Sequence, residues 1–188
     1  MKQLLMLFLQ SVFRWIYCLR IPEALLILAM ATYLFLCLHK KYAGTRSWNV
    51  FLCICTMIWI GTVAVMTLGV RAVDSTPKVM HLIPFHSYTA VFQGETPEIL
   101  RSNFMNALLF YPAGLTLGSG LPQKWKPGWK LLLVALPAIA VSSAIEFCQY
   151  RFGLGMAEID DVIHNALGAL IGVVPCISAD YLKTRDKT

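Results

Sequence analysis

The sequence predicts an all-α integral membrane protein, a bundle of about five transmembrane helices with an N-terminal interfacial helix, on three observations. Of its 188 residues, 57% are hydrophobic and 14% charged, against about 25% charged in an ordinary soluble domain. The apolar residues gather in runs close to the roughly 20 needed to cross about 30 Å of hydrocarbon. The basic residues gather between those runs, as topology signals do. The net charge of +6 is therefore read as membrane orientation, and nucleic acid is not an expected partner. One membrane domain over residues 1–188 accounts for the whole chain.

Residues 1–20 open with the apolar run Leu4–Leu9, which Gln10, Ser11, Arg14 and Arg20 then interrupt. This pattern suits a helix lying in the interface. A cleaved signal peptide is disfavoured, because the apolar core is short and no small-x-small site precedes Pro22. Five spans follow: Pro22–Leu38, Trp48–Val70, Phe104–Leu121, Trp129–Tyr150 and Val162–Tyr181. The first and third are near the short limit for crossing a bilayer.

Orientation comes from the connections. Lys40, Lys41 and Arg46, then Lys124, Lys126 and Lys130, then Lys183, Arg185 and Lys187 form three basic clusters that read as cytoplasmic. Arg71, Lys78, Arg101 and Arg151 are diluted among Asp74, Glu95, Glu98, Glu158, Asp160 and Asp161, so their connections read as external. In this topology the fourth span ends outside with Glu146 and Gln149, and the fifth enters there with Asp160, Asp161, His164 and Asn165. Asn103, Asn106, His81 and His86 arrive on the same side.

Ionisable groups inside a membrane cost roughly 2.5–3.5 kcal/mol each on the insertion scale and persist when paired, wetted or used. Function is therefore expected at this cluster. Ser142, Glu146 and Gln149 share one helical face, as do Asp161, Asn165, Gly168 and Gly172. Two readings of Glu146 and Gln149 stand side by side: a structural hydrogen-bond clamp, or a surface facing a ligand. Asp160 is expected to cap the fifth helix, whereas Asp161 belongs to the stripe with Asn165. His164 one turn after Asp160 suits an i,i+4 pair, and His81 and His86 suit solvated loop positions. Gly114-x-x-x-Gly118 and Gly168-x-x-x-Gly172 are expected to be close-packing grooves.

Metal chemistry finds little support. Glu146, Asp161 and His164 are suitable ligand types for zinc, but the chain has no HExxH and no paired-cysteine spacing. No metal and no cofactor are expected. The six cysteines lie in apolar segments and read as small membrane-core residues. No nucleophile elbow of the G-x-S-x-G type is present.

Three ordered motifs carry a resemblance. Ile145-Glu146-Phe147-Cys148-Gln149, with the run from Glu158 through Asp160, Asp161, His164 and Asn165 to Gly172, resembles the signature of the VanZ-like membrane proteins. Leu82-Ile83-Pro84-Phe85 is similar to that family's LIPF-type segment, and Asn106 through Gly114 to its NxxLFxPxG helix. The resemblance spans His81 to Gly172. Glu158 stands where Asp is usual, His81 where Asn is common, and Gly155 where many members carry Arg; Arg151, one turn away, is the available substitute.

The resemblance implies a small protein of the bacterial cell membrane, in a family whose founding member raises teicoplanin resistance. It brings no established reaction. Expected partners are membrane lipids and either a lipoglycopeptide antibiotic or a lipid-linked cell-wall precursor. The expected ligand-binding residues are Glu146, Gln149, Asp161, His164, Asn165 and Asn106. An enzymatic alternative gives Glu146 a general acid or base role on a lipid head group, oriented by Asp161. A third alternative is a structural scaffold, in which the carboxylates matter for stability alone.

Overall fold

The computed structural model describes residues 21–69, 79–92 and 98–185. The interfacial helix expected over residues 1–20 lies outside them. In chain order the elements are α1 (Ile21–Tyr42), α2 (Arg46–Ala64, continued by a π-helical turn at Val65–Gly69), β1 (Met80–His81), α3 (His86–Phe92), α4 (Glu98–Gly120), α5 (Pro127–Phe152), β2 (Ala157–Glu158) and α6 (Ile159–Arg185). The protein is an all-α membrane bundle, with one short parallel bridge pairing Met80 with Ala157 and His81 with Glu158.

Most helices outrun the apolar runs that predicted them. Polar residues such as Lys40 and Lys41 end a hydrophobic run without ending a helix, since lysine is a good helix former. Thr45 caps α2 through a bond from the Trp48 N–H, and Pro127 begins α5, where its missing N–H is harmless. Pro112, Pro137 and Pro175 sit inside α4, α5 and α6 without ending them. Neighbouring helices in a membrane bundle make such breaks tolerable.

Four helices among the described residues are long and apolar enough to cross a membrane: Ile21–Tyr42, Arg46–Gly69, Pro127–Phe152 and Ile159–Lys183. The third predicted span, Phe104–Leu121, falls largely within α4, which is not one of these four. Asn103, Asn106, Thr116 and its glycines dilute its apolarity, and the other helices shield it: Phe110, Tyr111, Ala113, Gly114, Leu115, Thr116, Gly118 and Ser119 are all buried. A helix wrapped by protein has little need of a lipid-compatible surface.

α4 and α6 run parallel, and their glycines make the closest contact in the bundle. A methyl group at Gly114 would collide with the Ala169 carbonyl, at Gly168 with the Ala107 carbonyl, at Gly172 with the Tyr111 carbonyl, and at Gly118 with the Val173 side chain. The two G-x-x-x-G motifs thus line one interface from both sides. Phe110, Val134, Ala138, Ile145, Ala169 and Val173, with Val63 of α2, form the core around it. Trp59 meets Phe110 edge to face at 5.2 Å and donates to the Leu109 carbonyl at 2.8 Å.

A buried polar cluster joins all five long helices at the end where α5 begins. Lys130 Nζ donates to Asp180 Oδ2 at 2.5 Å, and His39 bridges Asp180 Oδ1 at 3.5 Å and Ser119 Oγ at 2.7 Å. Trp48 Nε1 donates to Ser119 Oγ at 3.1 Å. Lys130 is 1% exposed. As a member of a basic cluster that reads as cytoplasmic it is unexpectedly buried, and burial is tolerable because the Asp180 carboxylate lies directly against the ammonium.

Candidate functional site

At the opposite end, α5 reverses into α6 through Gly153, whose φ of 65° lies in the left-handed region. The Leu154 N–H bonds back to the Gln149 carbonyl at 2.9 Å. Gly155 has φ 148°, a conformation side-chain-bearing residues rarely adopt, so glycine suits the position. The returning strand brings the Glu158 N–H to Glu146 Oε2 at 2.9 Å. Glu146 therefore fastens the α5–α6 connection.

Asp160 differs from expectation. Its buried carboxylate accepts the Phe85 N–H, the Ser87 N–H at 2.8 Å and the Ser87 hydroxyl at 2.6 Å. It holds the start of α3, from a residue distant in sequence, in place of capping its own helix. Phe85 is thereby kept at φ 63°, unusual for a bulky residue. Asn103 Nδ2 donates to Ser87 Oγ at 3.1 Å, tying α4 to the same knot.

His164 likewise bonds to a backbone group rather than to a neighbouring carboxylate. Its Nδ1 meets the Asp160 carbonyl at 2.5 Å and its Nε2 the Tyr88 hydroxyl at 2.7 Å. A carbonyl only accepts, so Nδ1 carries the proton, and in the neutral ring Nε2 accepts from Tyr88. His81 and His86 stack with ring centroids 4.7 Å apart. Ser87 and Tyr88 escaped the sequence reading because their partners lie more than seventy residues away. Among the described residues, no group of three or more His, Cys, Asp or Glu is arranged to hold a metal.

The predicted stripes on α5 and α6 do meet. Asn165 Nδ2 donates to Ser142 Oγ at 2.7 Å, and Gln149 Nε2 reaches the Thr67 carbonyl at 3.3 Å in the π-helical turn of α2. Asp161 is half-buried one turn before Asn165. Three buried side-chain atoms among the described residues have no hydrogen-bonding partner: Asn106 Nδ2, Gln149 Oε1 and Asn165 Oδ1. All three belong to residues that the sequence marked for ligand binding. Leaving a buried donor or acceptor unmade costs about 1–3 kcal/mol, and such exceptions ask for an explanation.

Asn106 on α4, Gln149 on α5 and Asn165 on α6 thus carry one amide donor and two amide acceptors without partners. Neutral groups of this kind suit a ligand rich in hydroxyl or amide functions. The family model described as VanZ/LLP1 matches residues 24–180. Neither the curated proteins nor the solved structures include a match.

Proposed function

Taking as premise that the chain belongs to the VanZ/LLP1 family of membrane proteins, we propose that it binds the polar head of an envelope amphiphile between α4, α5 and α6. The observation that carries this reading is the set of unpartnered amide atoms on Asn106, Gln149 and Asn165. A lipoglycopeptide antibiotic or a lipid-linked cell-wall precursor offers matching chemistry: peptide amides and sugar hydroxyls joined to a chain that lies in the bilayer. Asn106 Nδ2 donates to a ligand carbonyl or hydroxyl oxygen, while Gln149 Oε1 and Asn165 Oδ1 accept from ligand N–H or O–H groups.

In this reading Glu146, Asp161 and His164 shape the site and hold its walls. Glu146 binds the Glu158 amide and His164 joins Asp160 to Tyr88, which supports a positioning role over proton transfer to substrate. The site faces outward by the distribution of basic residues, where a lipoglycopeptide anchored by its acyl chain would meet it. Binding there withholds the antibiotic from its target or shields the precursor, and resistance to teicoplanin follows.

The test is teicoplanin and vancomycin susceptibility of a Gram-positive host expressing the parent, Asn106→Leu, Gln149→Met, Glu146→Gln and Asp161→Asn, with membrane levels checked by immunoblot. Protection against teicoplanin by the parent, lost in the Asn106 and Gln149 variants at equal abundance, is the expected result. Equal protection by all five proteins would overturn the site, and a parent without protection would overturn the resistance role.

A further inference from the structure

We propose that the groove at the Lys130 end of the bundle is a second, separate site, one that binds an anionic phospholipid. It encloses about 450 Å³ between the α4–α5 connection and the last turns of α6. Trp125, Ile177 and Tyr181 supply an apolar wall, and Lys130 and Asp180 also line it. The apolar span of α5 starts at Pro127 and that of α6 ends at Lys183. With those spans in the bilayer, the groove falls at the boundary between hydrocarbon and water, where phosphate head groups reside.

Charge selects the occupant. The Lys130–Asp180 pair at the groove is self-compensated, but Lys124 and Lys126 are exposed beside it and Lys183 is half-buried on α6. Asp180 is the one carboxylate at this end of the bundle among the described residues. A head group there meets a positive rim, and basic pockets between membrane helices bind anionic lipids for that reason. The apolar wall favours a lipid over a free anion, since it covers an acyl chain that inorganic phosphate lacks. The phosphate sits against the lysine rim, and the chain runs along Trp125, Ile177 and Tyr181.

The experiment is native mass spectrometry of the detergent-solubilised full chain with phosphatidylglycerol and phosphatidylcholine of identical chains. The parent is expected to retain phosphatidylglycerol preferentially, and Lys124→Gln with Lys126→Gln to lower that retention by roughly fivefold per lysine. Ser178→Trp, at an exposed position lining the groove, fills the space without touching the ion pair and is expected to abolish retention. Helicity and monodispersity identify a misfolded tryptophan variant, in which case the two exposed lysine changes decide. Equal retention of the two lipids by the parent would overturn the proposal. So would unchanged retention in the lysine variant, or displacement of phosphatidylglycerol by inorganic phosphate at comparable concentration.

Discussion

The two ends of the bundle solve the same problem in opposite ways. At the end where α5 begins, Lys130, Asp180, His39, Ser119 and Trp48 are each committed to one another. At the end where α5 finishes, Asn106, Gln149 and Asn165 each keep one buried polar atom without a partner. Desolvating a polar group is unfavourable at both ends, so the difference lies in what repays it. In the first cluster the repayment is internal and appears as assembly. In the second no partner within the fold supplies it, which is why the proposed ligand is placed there.

The largest effect that can break this comparison is expected at Asp180. Asp180→Ala leaves the Lys130 ammonium buried and uncompensated and should destabilise the bundle by about 3–5 kcal/mol. Replacing both partners together, Lys130→Met with Asp180→Leu, should recover most of that loss. Titration of helicity with denaturant in detergent micelles checks both. A single variant as stable as the parent would mean that the cluster does not hold the helices.

An intermediate effect is expected at Asp160, whose carboxylate collects three donors from the Phe85–Ser87 segment. Hydrogen bonds to charged groups contribute about 1.5–3 kcal/mol each. Asp160→Ala should therefore release α3 and speed chymotryptic cleavage near Phe85 and Tyr88 by at least about tenfold, with the helices otherwise intact. Cleavage at the parental rate would show α3 to be held by other contacts.

The smallest stability effect, and the most informative, is expected at Asn106. Asn106→Leu removes an amide with an unpartnered donor, so stability should change by less than about 1 kcal/mol or improve. Among the described residues, the paired end has no buried side-chain atom left without a partner. A loss of 2 kcal/mol or more by the same titration, beyond the usual net worth of a hydrogen bond, would show that the amide serves the fold and would erase the contrast.

How much of this was legible depended on how local the cause was. Helix positions follow from apolar runs, and the glycine grooves follow from four-residue spacing, so both could be read along the chain. The stripe Ser142–Glu146–Gln149 and the stripe through Asn165 were legible for the same reason, and they do meet through the Asn165–Ser142 bond. Asp160 was misjudged because its donors are supplied by a loop remote in sequence. Lys130 reads as a topology charge because it clusters with Lys124 and Lys126 between two apolar runs. A signal existed in Asp180, a lone acid near the close of the apolar run Val162–Tyr181, which implies a buried cation somewhere.

The intimate contact between α4 and α6 also bears on how the protein is made. α4 is synthesised before α6, the helix against which Gly114 and Gly118 pack, and α5 must emerge and reverse direction first. Until α6 follows, a comparatively polar helix lacks the surface its glycines fit. The middle of this chain is therefore packed to completion only from its far end.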